Sequence, residues 1–418
     1  MINLYRERHD CRLCGSDNIE TVVPLEPMPM ATPTFKVTEA SMDDSIYREW
    51  VPLGLDLCLD CGNLQVSSVV NPEVLYSNYV YRTSGSLGLS EHFSQYAKET
   101  LDIVSPKKGS LIVEIGSNDG TLLRFFKQKE MNILGVDPAV SIANKATEDG
   151  APTMASFFSA KVASKIISEK GNATIIIANN VFANIDDLTD IMDGVKALLS
   201  QDGVFIVETQ YGPDVIENNL LDTVYHEHLS YFALSPLKNY YSKFGLEIID
   251  VQRVSTKGGS FRIIAQHTGG NRPISDNVKA IIESENLKDI FSPNFYSKFR
   301  DEILFIKSDL LEIVDDAKKN GKKIAGYGVS VGTTTLLSQF GLTKKVDYLI
   351  DDDPNKDKML SGPGYDIPLI ASDKLAEEMP GIVIIFAWRY AEPIISKNKK
   401  YIENGGKFVI PLPSLRII

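Results

Sequence analysis

The sequence has few cysteines and no long run of apolar residues. Only four cysteines occur in 418 residues, and all four lie within the first 61 positions. No stretch approaches the roughly 20 consecutive apolar residues that a membrane-spanning helix needs. The first ten residues, MINLYRERHD, carry too much charge for a signal peptide. We therefore expect a cytoplasmic protein without a membrane partner.

Basic residues are also scarce relative to acidic ones. Lysine and arginine total 43 against 55 for aspartate and glutamate, which gives a net charge of −12. Because non-specific binding to nucleic acid needs clustered basic side chains, this balance argues against such a partner. No internal repeat or low-complexity segment is visible. The length predicts two or three domains, since single cores stop growing near about 250–300 residues.

The four cysteines form two C-x-x-C pairs, each followed directly by a glycine. They are Cys11, Cys14, Cys58 and Cys61. Four thiolates at this spacing suit a closed, tetrahedral site for a structural Zn²⁺ ion in a zinc-ribbon-like domain. Two disulfides or one redox pair are the alternatives, and a chain without a signal peptide disfavours disulfides. His9 precedes the first pair, and we expect it to be a surface residue because the four-cysteine set is complete.

The rest of the chain is organised around residues 111–123, LIVEIGSNDGTLL. A short apolar strand stops at Gly116, a polar turn follows, and a helix is predicted to begin after Gly120. Such a bend lets the backbone approach a ligand closely at a helix N-terminus. A second apolar run ends in Asp137, whose carboxylate is placed to bind two hydroxyls of a ribose. The alternative is an ordinary turn whose glycines only satisfy backbone geometry.

Strand and helix patterns alternate from here to about residue 300, which predicts a parallel, doubly wound sheet. Two further strands end at Asn179 and near Glu208, and ligands bind such sheets where the strands stop. A tyrosine-rich segment with Tyr76 and Tyr79 precedes the first strand. These tyrosines form either a packing seam or a lid over the site.

Residues 222–232, DTVYHEHLSYF, concentrate two of the five histidines in the chain. If the segment is extended, Tyr225 shares a face with Glu227, and His226 shares a face with His228. Histidine is the usual general base, a nearby carboxylate can orient it, and a phenol can stabilise an oxygen that becomes negative. A polar cap on a strand edge and an H-x-H metal site are the alternatives.

Two glycine-containing segments follow. The first is a turn bracketed by Lys257 and Arg262 that could admit a phosphate or a sugar, or be a plain hairpin turn. The second, from Gly326 to Gly332, lies between an apolar strand and a predicted helix, and the next strand ends at Asp351. Read alone, this region indicates a dinucleotide-binding half-domain, although G-x-G-x-x-x-G is only a variant of the fingerprint. An independent NAD site here is an alternative.

Taken in order, these motifs resemble the three-part family of nucleotide-sugar C-methyltransferases. The resemblance covers nearly the whole chain and depends on CxxC…CxxC, EIGSNDGTLL, NNVFANI, YHEHLSYF, KGGSFR, GYGVSVGTTTLL and GGKFVIPLP. It implies an α/β protein with three domains. These are a small zinc-ribbon-like domain over 1–72, a doubly wound class I methyltransferase core over 73–305, and a Rossmann-like domain over 306–418.

The resemblance also implies the site. S-adenosylmethionine would be bound by Glu114, Gly116, Asn118, Asp119, Gly120, Asp137, Pro138 and Asn179. His228 would be the base, with Glu227 and Tyr225 beside it and Tyr76 in the acceptor pocket. The acceptor would contact Tyr79, Lys257, Gly259 and Arg262.

Three positions depart from the family pattern, and they concern the acceptor more than the cofactor. Asn184 stands where sugar-methylating relatives commonly have a histidine. Thr256 and Lys257 precede the paired glycines where a histidine is expected. Gly332 and Thr333 replace a Lys-Gly pair in the carboxyl-terminal glycine loop.

The predicted reaction is methyl transfer from S-adenosylmethionine to a carbon next to the keto group of a nucleoside-diphosphate sugar. His228 would remove the proton, a tyrosine would stabilise the enolate, and the zinc would be structural. O-methylation of a sugar or another small metabolite with the same base is the alternative within enzymes. A non-catalytic, nucleotide-binding zinc-ribbon scaffold is the alternative of another class.

Overall fold

The computed structural model describes residues 4–30, 48–76, 82–83, 88–356, 359–362 and 364–418. Tyr79, predicted above to contact the acceptor, lies outside these residues. Within the described part, no helix combines the length and the apolar character required to cross a membrane.

The amino-terminal unit is a small antiparallel sheet next to the two cysteine pairs. Its elements are β1 (Tyr5–Glu7), β2 (Ile19–Pro29), β3 (Trp50–Cys58), β4 (Leu64–Gln65), β5 (Ser68–Val70) and α1 (Pro72–Tyr76). β3 lies between β2 and β4, and β1 pairs with β5. A fourth strand of the main sheet, beyond β4, is contributed by Ser230–Tyr231 of the core. The zinc-ribbon-like unit and the core therefore share one sheet.

The core is a seven-stranded sheet with helices on both faces. Its elements begin with α2 (Leu89–Val104), β6 (Leu111–Ile115), α3 (Thr121–Lys127), β7 (Asn132–Asp137), α4 (Val140–Glu148), β8 (Thr153–Ala155), α5 (Ala160–Lys170) and β9 (Ala173–Asn179). They continue with α6 (Leu188–Leu198), β10 (Leu199–Gln210), α7 (Gly212–Glu217), β11 (Ser230–Tyr231), α8 (Leu234–Lys243), β12 (Leu246–Val254), β13 (Ser260–His267), α9 (Asp276–Leu287) and α10 (Pro293–Lys319).

The strand order of this sheet is β8-β7-β6-β9-β10-β13-β12. The first five strands are parallel, β13 runs antiparallel to β10, and β12 runs antiparallel to β13. β6 is buried along its whole length, and β9 nearly so, because helices cover both faces of central parallel strands. This order, with one antiparallel strand inserted before the last, is that of class I methyltransferases and confirms the predicted fold class.

The carboxyl-terminal unit is a second seven-stranded sheet. Its elements are β14 (Ile324–Tyr327), α11 (Val331–Gln339), β15 (Tyr348–Asp351), β16 (Leu360–Ser361), β17 (Ile367–Ala371), α12 (Leu375–Glu378), β18 (Ile382–Ile385), α13 (Ala391–Lys397), α14 (Lys399–Glu403), β19 (Lys407–Ile410) and β20 (Arg416–Ile417). The order is β16-β17-β15-β14-β18-β19-β20, with five parallel strands between two antiparallel edges. This is the predicted Rossmann-like arrangement.

One apolar cluster joins the three units beside the histidine-rich segment. It includes Leu55 and Leu57 from β3, Tyr231 from β11, and Leu336 from α11. The segment before β11 is therefore held between the amino-terminal sheet and the carboxyl-terminal unit. Its conformation depends on contacts from both.

Candidate active site

A cavity of about 530 Å³ opens where β6, β7 and β9 end. Its floor is the bend after β6, and its walls come from α2, the loop after β9, and the amino-terminal unit. Ligands of parallel sheets bind at this edge, and the volume is that of a site for a small molecule or cofactor. The predicted residues that line it are Tyr76, Glu114, Gly116, Asn118, Asp137, Pro138, Asn179 and Lys257.

The two glycines of the bend have different roles. Both have positive φ, 69° at Gly116 and 71° at Gly120, which favours glycine. Gly116 lines the cavity, and a Cβ there would come within 2.9 Å of Val181. A Cβ at Gly120 would lie 2.4 Å from that of Ala151, so this glycine allows the helix to pack against its neighbour. Gly120 is not among the described residues that line the cavity.

Asp119 is likewise not among the described lining residues. Its Oδ1 accepts hydrogen bonds from the Thr121 amide at 3.1 Å and from the Thr121 hydroxyl at 2.6 Å. The carboxylate thus stabilises the first turn of α3. A direct contact of Asp119 with the cofactor stays a prediction that this geometry does not support.

Two buried carboxyl groups give the cavity its electrostatic character. Burial, with Asp137 and Asp119 nearby, raises the pKa of Glu114 well above its usual value. Among the described residues, Glu114 Oε2 has no hydrogen-bond partner. A buried orphan carboxyl oxygen is costly unless a ligand satisfies it, and a cationic group would favour its ionised form. S-adenosylmethionine carries a sulfonium and an ammonium group, so the residues fit this cofactor.

Asp137 is held rigidly at the end of β7. Its Oδ2 accepts from the Asn118 amide at 2.9 Å, and its Oδ1 accepts from the Ala139 amide at 2.9 Å. Burial raises its pKa, while these two hydrogen bonds oppose the rise. The orientation is suited to accepting ribose hydroxyls with the remaining lone pairs.

Asn179 closes the floor of the cavity at the end of β9. Its Oδ1 accepts from the Tyr96 hydroxyl at 3.1 Å, and its buried Nδ2 has no partner among the described residues. The amide is therefore oriented with a donor left for a ligand. Sequence reasoning missed several other lining residues because they come from widely separated parts of the chain: Arg6, Thr83, Phe93, Phe157, Val181, Ile185 and His226.

Residues 221–229, called here the histidine loop, are not in the extended conformation under which alternate side chains would share a face. The loop begins with a 3-10 turn at Leu221–Thr223, and the His228 amide donates to the Tyr225 carbonyl at 3.0 Å. The condition for those shared faces, an extended segment, is therefore not met. The Tyr225 hydroxyl lies 3.0 Å from His228 Nε2, and the two rings are 4.2 Å apart.

His228 has a defined tautomer. Its Nδ1 lies 2.9 Å from the Thr223 carbonyl, which can only accept, so Nδ1 carries the proton and Nε2 the lone pair. Burial, and after it the positive charge of Lys257, lowers the pKa of His228 to about 3. The imidazole is neutral at physiological pH. His228 and Tyr225 are not among the described residues that line the cavity, whereas the neighbouring Leu229 lines it.

The other histidine of the loop reaches the cavity directly. His226 lines it, and its Nε2 lies 3.0 Å from the Pro52 carbonyl of β3. Burial lowers its pKa to about 4. His226 is therefore a second neutral imidazole at the site, and of the two histidines it is the one among the described lining residues.

The predicted acceptor residues around the paired glycines are separated by the fold. Lys257 lines the cavity in a left-handed conformation with φ 54°. A Cβ at Gly259 would lie 2.1 Å from the Asp214 carboxylate, so this glycine serves packing. Arg262 is buried, and its guanidinium donates hydrogen bonds to the Glu208 carboxylate at 3.0 Å and to the Glu99 carboxylate at 2.8 Å. An acceptor role for Gly259 or Arg262 stays a prediction without support from this geometry.

The groups of the carboxyl-terminal glycine loop that could bind a dinucleotide already have partners within the protein. Ser330 and Thr333 form a capping box at the start of α11, and a Cβ at Gly332 would meet the Asp222 carbonyl at 2.7 Å. Asp351 Oδ2 accepts from the Val329 amide at 2.9 Å and from Lys356 at 3.0 Å. These contacts occupy the helix N-terminus and the carboxylate that a dinucleotide would use.

The four cysteine sulfurs form a closed cluster. They lie within 4.8 Å of one another, with Cys11 3.5 Å from Cys61 and Cys14 3.5 Å from Cys58. Tetrahedral Zn–S bonds of about 2.3 Å place sulfurs about 3.8 Å apart, so the cluster fits Zn²⁺ with no open position. The following glycines have φ of 79° and 78°, as the predicted knuckles require.

Comparisons with known proteins match all three units of the chain. A family model described as "C-methyltransferase C-terminal domain" matches residues 255–413. A "Methyltransferase domain" model matches residues 89–251, and a zinc binding domain model matches residues 11–76. The fold, the cavity and these matches define a zinc-containing, S-adenosylmethionine-dependent methyltransferase.

The chain is 30% identical to C-methyltransferase NovU from Streptomyces niveus over 419 aligned positions, which cover 100% of this chain and 99% of that protein. It therefore belongs to the C-methyltransferase family that includes NovU.

Two solved structures each resemble less than half of the chain. An S-adenosylmethionine-dependent methyltransferase from Clostridium acetobutylicum is 14% identical, covering 43% of this chain and 92% of that one, with a TM-score of 0.36. Magnesium protoporphyrin IX methyltransferase from Synechocystis with bound SAH is 14% identical, covering 44% and 84%, with a TM-score of 0.35. The fold assignment therefore rests on the strand order and the family models.

Replacing Asp137 by asparagine is expected to weaken S-adenosylmethionine binding about 10- to 100-fold, because hydrogen bonds to a charged group contribute about 1.5–3 kcal/mol. The two carboxylate oxygens of Asp137 each accept a hydrogen bond from a backbone N–H group. In the asparagine variant the side-chain NH₂ would face one of these N–H groups, so two donors would oppose each other. Isothermal titration calorimetry measures the dissociation constant. Asp149→Asn, at an exposed carboxylate that pairs with Lys145, is the control. Equal affinity in D137N and wild type would contradict the assignment.

Proposed function

We propose that this protein methylates a carbon next to the keto group of a nucleoside-diphosphate sugar, with His228 as the base. The observation that carries the proposal is the state of His228. Its proton is held on Nδ1 by the Thr223 carbonyl, and its pKa is too low for a positive charge. Nε2 therefore carries a lone pair that can accept a proton, and the negative charge of an enolate formed beside it would raise the pKa of His228 and stabilise the imidazolium.

A carbon acceptor must lose a proton before it can attack the methyl group. When bound, S-adenosylmethionine supplies an electrophilic methyl on its sulfonium. The Tyr225 hydroxyl, which now contacts His228 Nε2, would first turn away from it. Nε2 would then take the proton from the acceptor carbon, and the Tyr225 hydroxyl would donate a hydrogen bond to the enolate oxygen. Tyr76 lines the cavity and is a second phenol for this oxygen. The cavity would hold the carbanion and the methyl group in line.

The shape of the site supports an acceptor with two parts. A second cleft, of about 640 Å³, is lined by Leu220, Gly258, Trp388 and Arg389. Lys257 lines the first cavity, and the next residue, Gly258, lines the second. Arg389 pairs with Asp222 and lies over the Trp388 ring at 4.3 Å, so a diphosphate would be bound by Lys257 together with an Arg389 that exchanges its carboxylate partner for a phosphate. A sugar in the first cavity could thus be joined to a nucleotide in the second.

The test is an incubation with methyl-labelled S-adenosylmethionine and a nucleoside-diphosphate keto sugar in deuterated water. We expect deuterium at the acceptor carbon in unreacted substrate and a C-methyl product, both detectable by mass spectrometry and NMR. A methyl ether as product would reject C-methylation in favour of the O-methyl alternative. Cofactor binding without turnover on any keto sugar would favour the non-catalytic scaffold. A location in the cytoplasm remains a prediction.

A further inference from the structure

Arg12 lies inside the first cysteine pair but reaches away from the metal site. Its side chain is 0% exposed. Nη1 donates to the Leu229 carbonyl at 3.0 Å, and Nε donates to Asp186 Oδ1 at 2.9 Å. Both acceptor residues line the cofactor cavity. One guanidinium thus connects the zinc knuckle to two walls of the active site.

Leu229, directly after His228, is fixed from three directions. Its carbonyl accepts from the Val66 amide at 3.0 Å as well as from Arg12, which uses both lone pairs. Its own amide donates to the Ala183 carbonyl at 2.8 Å. The next residue, Ser230, begins the strand that pairs with Gln65 of β4. The end of the histidine loop is therefore built onto the zinc-containing unit.

The charge of Arg12 is expensive to bury. Its side chain is 0% exposed, and Nη2 has no hydrogen-bond partner among the described residues. Asp186 also pairs with Arg6 and Arg8, so it does not require Arg12 as its sole partner. An apolar side chain would fill the same space at lower cost. An apolar side chain, however, could not donate hydrogen bonds to both the Asp186 carboxylate and the Leu229 carbonyl, as the planar guanidinium does.

We propose that Arg12 is a positioning residue that couples the zinc knuckle to the histidine loop, so that the metal ion maintains active-site geometry without taking part in the chemistry. Zn²⁺ fixes the Cys11–Cys14 turn, the turn fixes the Arg12 backbone, and the guanidinium fixes Leu229 beside His228. The Arg12 amide itself donates to Gln65 Oε1 at 3.0 Å, which orients the turn toward β4.

A matched control is available on the same knuckle. Lys243 of α8 donates to the Leu13 carbonyl at 3.0 Å, so it also binds the turn, but it contacts neither Leu229 nor Asp186 in the described residues. Removing Lys243 tests general loosening of the knuckle. Removing Arg12 tests the connection to the histidine loop. Methionine is the replacement at both positions because it keeps the length of the side chain without the charge.

The experiment compares amide hydrogen exchange in the zinc-loaded, full-length wild type, R12M, R12K and K243M. We expect R12M to raise exchange of peptides covering residues 226–232 by about tenfold or more, since it loses two charge-assisted hydrogen bonds. K243M should leave these peptides unchanged. All variants should retain one zinc per chain and bind S-adenosylmethionine within about threefold of wild type. R12K should be intermediate, because lysine cannot hold both acceptors in the same fork.

With an accepted substrate, kcat of R12M should fall about tenfold or more while kcat of K243M stays at the wild-type value, because misplacing the base slows the chemical step. Equal exchange in R12M and K243M, or wild-type exchange in R12M, would overturn the proposal. If R12M does not fold, the R12K variant provides the test. A wild-type rate of amide exchange over residues 226–232 in R12K would also overturn the proposal. The exchange measurement needs no acceptor, so an error in the proposed substrate would leave its outcome intact.

Discussion

The His228→Gln variant should lose about 10²- to 10⁴-fold in kcat, the range that a general base contributes. S-adenosylmethionine affinity should change less than about threefold, because the described cavity lining does not include His228. Glutamine can still donate to the Thr223 carbonyl, which His228 Nδ1 contacts at 2.9 Å, so the loop should keep its shape. Rapid-quench measurement of a single turnover reports the chemical step, and calorimetry reports cofactor binding.

His226→Gln is the matched control two residues away. Its Nε2 contacts the Pro52 carbonyl, and glutamine can replace that hydrogen bond. We expect less than about tenfold loss of kcat, the effect of one displaced hydrogen bond rather than a lost base. If H226Q abolished the chemical step and H228Q did not, the base would be His226, and the role proposed for His228 would be wrong.

The pH dependence follows from the same histidine. Because the folded pKa of His228 is about 3 and the usual value is 6.5, the unfolded chain binds more protons between these values. The free energy of unfolding should therefore fall as the pH drops through this window, and less steeply in H228Q. The base stays neutral over the same range, so kcat/KM should show no acid limb near pH 6.5. Urea denaturation and pH–rate profiles measure the two effects.

Removal of the zinc ion is the second change with a large expected effect. Structural Zn²⁺ contributes about 10–16 kcal/mol of apparent binding free energy in small domains, which is folding free energy. Cys58 is fully buried and packs in the apolar cluster that includes the core sheet. We expect Cys58→Ser to lose the metal, to unfold the amino-terminal sheet, and to lower kcat more than 100-fold by freeing the histidine loop.

Inductively coupled plasma mass spectrometry gives the zinc content, and near-ultraviolet circular dichroism and differential scanning calorimetry follow the fold. His9→Ala is the control, since His9 is an exposed residue beside the first cysteine pair. It should keep one zinc per chain and full activity. A C58S protein that retained one zinc and the wild-type unfolding temperature would show that the cysteine cluster is not the metal site.

Sequence alone determined the features that depend on neighbouring residues. Apolar runs that end in Glu114–Gly116, Asp137 and Asn179 define strands of a parallel sheet, and the carboxyl ends of such strands meet at one edge. The glycine after each C-x-x-C pair indicated the positive φ of the knuckles. These patterns are local, so periodicity and composition were sufficient to read them.

Only the tertiary structure decided how the histidine loop is arranged. Its residues turn back so that His228 contacts Thr223 and Tyr225, whereas an extended segment would have paired His228 with His226. Gly120 and Gly259 proved to be packing glycines because their neighbours, Ala151 and Asp214, come from distant segments. Arg12 contacts a carbonyl 217 positions away, and no local pattern encodes such a contact. The residue types therefore indicated the chemistry. The arrangement of these residues, in contrast, depends on how the three units pack against the histidine loop.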